Sequence, residues 1–339
     1  MRSFLRLLLP TALIFAAGSY HRDWQLHPAI AQSDSGEDIY VVGDVHADER
    51  RLLKVLSAAG VIQNDRAGWN AGRSNLVFTG DLIDKGPQAL AVLGRVALLR
   101  REAQAAGGEV FSLMGNHEAE FLAYPAQEKS REFAGQLRAD GIAPADVAAC
   151  RGEAGELLCG EPFGLRIGQW FFSHAGNTQG RSITALSLDL EAGVDKNGFS
   201  SRQLIGADSL LEARLGEKGE GGRPWVEQGP KHDARALLQS YTAALGVKHI
   251  VQGHQHAAIA FADGVRRKKG QMFQRDGMLF LVDTGMSEGV GDSEGAVLLI
   301  RQRSEEAIAI CADGSRTRLW DAKTAPAVGA SPVCGRSKQ

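Results

Sequence analysis

Polar and apolar positions along this chain fall into short, recurring blocks. Asp38–Val42 (Asp-Ile-Tyr-Val-Val) is an apolar run ending in Gly43-Asp44-Val45-His46, which predicts a strand and then a polar loop. Asp48 stands where a helix N-cap belongs. Leu52, Leu53 and Leu56 share one face of that helix, and Gly60 stops it. The unit then repeats. Asn75–Thr79 predicts a strand ending in Gly80-Asp81, and Pro87 opens a helix to about Ala106, closed by Gly107-Gly108. Glu109–Met114 predicts a third strand, ending in Gly115-Asn116-His117-Glu118. Further strands are expected at Leu165–Ser173, Lys248–Gln252, Met278–Val282 and Ala296–Arg301. Strands alternating with helices indicate an α/β fold, and such folds carry their sites at strand ends.

Two stretches break the pattern. Residues 119–163 read as helices plus a cysteine-containing loop, and the Gly-, Asp- and Glu-rich residues 177–230 as a surface insertion over the site. With no internal repeat or low-complexity linker, residues 38–301 are expected to form one catalytic domain and 302–339 a C-terminal tail. Residues 1–31 read as an export leader, because Arg2 and Arg6 precede an apolar stretch, Leu7–Ala17, too short to cross a bilayer. Ala29-Ile30-Ala31 offers a cleavage site before Gln32, a cut nearer Ala17 is the alternative, and a leader that stays attached is the rival. No other apolar run is long enough for a stable membrane span. An exported, periplasmic or secreted protein is therefore expected. Its four cysteines fit that compartment, and proximity favours pairing Cys150 with Cys159 and Cys311 with Cys334, against free buried thiols.

Composition adds exclusions. The chain has 339 residues, 44% hydrophobic and 23% charged, with a net charge of −2. That is ordinary globular usage. The one basic run, Arg266-Arg267-Lys268-Lys269, does not make a nucleic-acid-binding surface, and none is expected.

The candidate chemistry lies in five segments: Gly43-Asp44-Val45-His46, Gly80-Asp81-Leu82-Ile83-Asp84-Lys85-Gly86, Gly115-Asn116-His117-Glu118, Ser173-His174-Ala175-Gly176 and Gly253-His254-Gln255-His256. Singly, a Gly-Asp at a strand end is usually a turn and a lone histidine usually a hydrogen-bonding group. Jointly, carboxylate, amide and imidazole groups after successive strands form a mixed oxygen and nitrogen donor set. Such a set suits borderline divalent metals such as Mn, Fe, Zn or Co.

In this order the segments resemble those of the calcineurin-like metallophosphoesterases, within them the phosphoprotein phosphatases, and most nearly the bacterial Shewanella-like phosphatases. Val282-Asp283-Thr284-Gly285-Met286-Ser287 is similar to a further segment of the last group. The resemblance spans about residues 38–290. It implies a four-layer α/β/β/α sandwich of two central mixed β-sheets flanked by helices. It also implies two divalent metal ions and hydrolysis of phosphomonoesters by direct attack of a hydroxide that both metals share. Asp44, His46 and His256 would hold the first metal, Asp81 would bridge both, and Asn116, His174 and His254 would hold the second. His117 would protonate the leaving oxygen, oriented by Asp84.

Three positions depart from the family. Ala47 replaces a glycine. Lys85 replaces an arginine and cannot offer its bidentate fork. Glu227, in Trp225-Val226-Glu227, stands where a second phosphate-clamping arginine is expected. Lys85, Asn116 and Arg223 are the candidate phosphate contacts, with Arg202 as another possible substitute. The implied substrate is a Ser/Thr/Tyr phosphoprotein. The rivals are a periplasmic phosphatase, nucleotidase or diphosphatase for small molecules, and a catalytically silent metal-binding module.

Overall fold

The computed structural model describes residues 22–63, 68–215, 225–227 and 233–335. Seven strands form one mixed sheet in the order β1 (Ile30–Ser33), β5 (Gly164–Ile167), β6 (Trp170–Ser173), β7 (His249–Gln252), β11 (Leu279–Leu281), β10 (Gln271–Arg275), β15 (Val328–Val333). Six form the other, in the order β14 (Arg316–Asp321), β13 (Glu306–Cys311), β12 (Ala296–Arg301), β2 (Ile39–Val42), β3 (Asn75–Phe78), β4 (Glu109–Ser112). A two-stranded hairpin, β8 (Ile259–Ala260) with β9 (Arg266–Arg267), stands apart.

Alternation along the strands explains the layering. Val41, Phe172 and Leu298 face a core shared by both sheets, while their neighbours Val42, Phe171 and Val297 face a second core under the helices. A strand buried on both faces reads as a continuous apolar run. The helices are α1 (Glu49–Ala59), α2 (Ala89–Ala105), α3 (Asn116–Ala123), α4 (Arg131–Ala139), α5 (Pro144–Ala148), α6 (Gly152–Gly160), α7 (Ile183–Asn197), α8 (Arg202–Ile205) and α9 (Ala234–Leu245). Helix α1 begins and ends as its sequence predicts, with the Asp48 side chain accepting from Arg51 N and Gly60 in the left-handed conformation. The result is the expected four-layer α/β/β/α sandwich. Among the described residues, no helix is long and apolar enough to cross a membrane.

Several expected boundaries differ. Leu165–Ser173 is a hairpin, not one strand, because Gly168 turns the chain at φ +53° between β5 and β6. The expected tail supplies β13, β14 and β15. Strand β13 pairs with β12 and β14, and β15 pairs with β10, so the tail adds strands to both sheets. Residues 177–215 are not merely a surface insertion, since Leu186, Leu190, Val194 and Leu211 are buried in the core. The remainder of that expected insertion falls partly outside the described residues. At the other end, residues 22–33 are integral to the sandwich. β1 pairs in parallel with β5, and the Arg22 guanidinium is buried, donating to the carbonyls of Cys159, Glu161 and His27 at 2.8–2.9 Å.

Disulfides join Cys150 to Cys159 and Cys311 to Cys334. The first closes α6 onto the loop after α5. The second ties the end of β13 to the residue following β15, and so links the two sheets. Each contributes about 3 kcal/mol in the chain-entropy picture.

Candidate active site

Three parallel neighbours, β2, β3 and β4, end together, and so do β6 and β7. That register brings the loops carrying Asp44 and His46, Asp81 and Asp84, Asn116 and His117, His174, and His254 to one place. Asp81 is central. Its Oδ2 lies 3.6 Å from His46 Nε2 and 3.9 Å from His117 Nε2, and its Oδ1 lies 3.4 Å from His174 Nε2. Two candidate metal-holding groups result, His46–Asp81–His117 and Asp81–His174–His254, sharing that one carboxylate. Asp44 Oδ2 is 3.8 Å from His46 Nε2, Asp44 Oδ1 accepts from His254 N at 2.9 Å, and Asn116 Oδ1 is 3.0 Å from His174 Nε2.

The backbone here is unusual. His46, Ala47, Asp81, Asp84, Lys85 and His254 all have φ between +47° and +62°. Side chains disfavour that region, so each residue stays there only if its surroundings hold it. The carbonyl of Asp81 accepts from Val45 N and His46 N, and that of Leu82 from Ala47 N, all at 2.8–3.0 Å. Glu118 is fully buried, and its carboxylate accepts from the N–H groups of Gly115, Asp81, Leu82 and Ile83 at 2.7–3.2 Å. Gly115 is required for close approach, since a Cβ there would lie 2.2 Å from Asp81 Oδ1. Sequence reading gave Glu118 no role. Its signal was available: an acid three residues into a helix whose first turn carries two site residues.

The histidines sort by what holds the far side of each ring. His46 Nδ1 donates to the carbonyl of Ile83 (3.2 Å), His174 Nδ1 to that of Thr79 (2.8 Å), and His254 Nε2 to that of Glu212 (3.3 Å). A carbonyl can only accept, so the nitrogen facing it carries a proton in each ring. The other nitrogen faces the Asp81 cluster, as a lone-pair donor in His46 and His254, which burial keeps neutral. His117 differs, because its Nδ1 pairs with the Asp84 carboxylate at 2.8 Å. Burial pulls His117 down, but the charge of Asp81 and the hydrogen bond to Asp84 overcome it and raise it above the ordinary imidazole value. His46 is depressed to about 3, chiefly by burial, and His254 well below the ordinary value by burial and the charge of His174. For His174, burial is outweighed by Asp81 and Asp44, which lift it to about 10. The carboxylates of Asp81 and Asp44 thus favour positive charge at this point, the field that a metal cation would meet in place of the His174 proton. The residues fit a pair of borderline divalent metals.

Other expected residues are placed differently. His256 is not in either candidate group, and its Nδ1 pairs with Asp292 Oδ2 at 2.5 Å. Asp292 Oδ1 also meets Lys269 Nζ at 2.7 Å. The turn that follows His254 carries His256 toward Asp292. Lys85 Nζ lies 2.9 Å from His46 Nε2 and so faces the cluster. Glu227 does not face a substrate position, since its Oε1 accepts from Ala262 N at 3.0 Å. Arg223 lies outside the described residues. Arg202 lines a separate cavity of about 320 Å³ with Arg181, Asp189 and Asp208. Sequence reading missed Arg214, which is exposed and whose charge acts on both His254 and Lys129.

The sequence model of the calcineurin-like phosphoesterases matches residues 38–258. The Shewanella-like protein phosphatase 2 of Arabidopsis thaliana is 25% identical over 320 residues, covering 79% of this chain and 76% of that protein. A symmetrical bis(5'-nucleosyl)-tetraphosphatase of a Janthinobacterium species is 27% identical over 182 residues, covering 52% and 59%. Among solved structures, a cold-active protein tyrosine phosphatase superposes with a TM-score of 0.65 at 20% identity, covering 87% of this chain and 81% of that one. That last likeness concerns the fold.

Proposed function

Since the chain belongs to the calcineurin-like phosphoesterases, we propose that it hydrolyses phosphomonoesters, with phosphorylated Ser, Thr or Tyr of a protein as the substrate class. The observation that carries the reading is the histidine sorting around Asp81: three rings fixed by carbonyls with the other nitrogen turned to the cluster, and one fixed by a carboxylate. His46 and Asp44 would hold one divalent metal, His174, His254 and Asn116 the other, with Asp81 between them. Mn, Fe, Zn and Co all suit these donors. Two such ions supply charge neutralisation at the phosphoryl oxygens and an acidified water.

The remaining chemistry belongs to the side chains. His117 presents Nε2 toward the cluster, 3.9 Å from Asp81 Oδ2, and is raised above the ordinary imidazole value by Asp81 and Asp84, which suits it to deliver a proton to the leaving alkoxide. Asp84 orients the ring and is itself held by Phe133 N at 3.2 Å. Lys85, beside His46, and Arg214, whose charge reaches His254, would supply the positive charge that a phosphate dianion needs. Lysine gives it as a point charge and not as a fork. The similarity to a protein phosphatase over three quarters of both chains favours a phosphoprotein, while the shorter match to a tetraphosphatase favours nucleotide substrates as the rival.

Export with a leader that ends before Arg22 fits the two disulfides and the buried place of Arg22, β1 and their partners. A cut before Gln32 would strip half of β1 from its sheet and leave three carbonyls without their donor. The test is a panel of phosphopeptides, nucleotides, sugar phosphates and diesters, run separately with Mn, Fe, Co, Zn and Mg. Phosphopeptides with the highest kcat/KM support the reading. Preference for dinucleoside polyphosphates overturns the substrate, and no turnover with any metal overturns the activity.

A further inference from the structure

The basic run Arg266-Arg267-Lys268-Lys269 divides in the structure. Arg266, Lys268 and Lys269 are exposed, while Arg267 is buried at 1% exposure. A buried arginine is costly unless every donor is used. Its Nε donates to Gln271 O at 2.8 Å, Nη1 to Ala257 O at 3.1 Å and to Gln255 O, and Nη2 to Asp283 O. One planar group thereby ties three segments: the turn leading from β9 into β10, the loop after β7 and the loop after β11. Burial lowers the guanidinium to about 10, opposed by the nearby carboxylates of Asp283, Asp292 and Asp44.

The loop after β7 is the one that carries His254, at φ +62°. Two of the four carbonyls gripped by Arg267 lie one and three residues beyond it. A left-handed histidine is strained and persists only where neighbours over-determine it. On the near side Asp44 Oδ1 accepts from His254 N. Gly253 permits that approach, since a Cβ there would lie 2.4 Å from the same oxygen. On the far side Leu215 N donates to Gln255 Oε1 and Gly270 N to His256 O, and Arg267 ties this loop to the loop after β11 through two of its carbonyls and that of Asp283.

We propose that Arg267 is a positioning residue that locks the loop after β7, holds His254 in its left-handed conformation and so aims Nδ1 at the Asp81–His174 group. His254 Nδ1 stands 3.1 Å from His174 Nε2 in this arrangement. The inference rests on reading His254 as a metal ligand. Lysine cannot replace the arginine, because one ammonium cannot span carbonyls on three segments.

The test uses Arg267→Lys, Arg267→Met, His254→Gln and the Arg267→Lys/His254→Gln double variant of the full chain. Binding of Mn(II) and Co(II) is measured by equilibrium dialysis, with metal-free melting as the fold control. Arg267→Lys should weaken binding of one of two metals by about 10–100-fold, the range for residues that orient ligands. It should also lower kcat on p-nitrophenyl phosphate more than it raises KM. In the His254→Gln background the same change should cost little further affinity, because the ligand it places is gone. If Arg267→Met does not fold, Arg267→Lys, which keeps the charge and the stem, carries the test. Two metals bound with wild-type affinity by Arg267→Lys, or an equal loss in both backgrounds, overturns the proposal. Unchanged metal binding by His254→Gln overturns the ligand reading and this proposal with it.

Discussion

The two halves of the site reach the same geometry by different means. From the six-stranded sheet, Asp44, Asp81 and Asn116 follow three adjacent parallel strands, and the register of the ladder itself sets their spacing. Five residues there sit in the left-handed region, held by main-chain hydrogen bonds between the loops and by the four donors converging on Glu118. From the seven-stranded sheet, His174 and His254 also follow adjacent strands, but the loop beyond His254 is irregular and fixed by side chains, Arg267 and Asp44 above all. The first half is over-determined by backbone. The second depends on a few individual side chains, so single substitutions should reach further there.

Asp81 belongs to both halves, and its loss should have the largest effect. Asp81→Asn removes the shared negative charge, and both metal occupancy and kcat should fall by more than the roughly 10–100-fold typical of residues that only orient ligands. Metal analysis beside steady-state kinetics checks this, and two metals per chain with near-normal kcat would refute the ligand assignment. His249→Gln is the control. That ring stacks on Trp170 at 3.9 Å between centroids and its Nδ1 faces the carbonyl of Gly277, remote from Asp81 in function. Metal content and kcat should be unchanged while thermal stability drops.

Next in size is the acid. His117→Asn should slow alkyl esters such as phosphoserine by about 10²–10⁴-fold and aryl esters with good leaving groups far less. Equal losses on both would assign the proton to another donor. His117 is raised because Asp81 and Asp84 outweigh its burial, so it holds its proton to higher pH than an ordinary imidazole and loses it as pH climbs through that raised value. Alkyl-ester turnover should therefore fall on the alkaline side. Asp84→Asn should move that fall to lower pH, and an unmoved profile would remove Asp84 from the role.

A stability effect follows where the halves meet. Glu161 is buried on the segment leading into β5, pushed well above the carboxylate range by burial and then by the charge of Glu118. The unfolded chain ionises this group above about pH 4.5 while the folded chain keeps its proton, so stability is lost as pH rises from there. Glu161→Gln should be neutral near pH 4 and stabilising by about 1–3 kcal/mol at pH 8. Urea unfolding at both values measures it. A gain independent of pH would mean that the carboxyl's titration is not the cause.

The same contrast governs what the sequence made legible. Asp44, Asp81, Asn116 and His117 stand directly after apolar runs of four or five residues, so strand, loop and chemistry are read together. His174 and His254 were legible for the same reason. His256 was named on the resemblance alone, and its pairing with Asp292, far along the chain, leaves no local signal. Arg267 was hidden in a basic run, since nothing local tells a buried arginine from its exposed neighbours. Strands β13 to β15 were missed because Ala, Gly, Arg and Thr dilute their apolar signal, and because β15 pairs with β10, far back in the chain. Long-range pairing and single-side-chain ties leave no periodicity to read.

The smallest effect should come from Ala47, where a glycine is expected. Its φ of +52° disfavours an alanine by about 1–2 kcal/mol relative to the right-handed region. Its methyl is fully buried, however, which returns about 0.8 kcal/mol. Glycine would also raise the entropy of the unfolded chain by about 0.4–1 kcal/mol. These contributions nearly cancel, so Ala47→Gly should change stability by less than about 1 kcal/mol in either direction. It should leave kcat and KM unaltered, because Ala47 N donates to Leu82 O and Ala47 O accepts from Gln88 N through backbone alone. A marked rise in kcat, or a melting change larger than the cancellation allows, would show that this half of the site is less firmly held than its hydrogen bonds indicate.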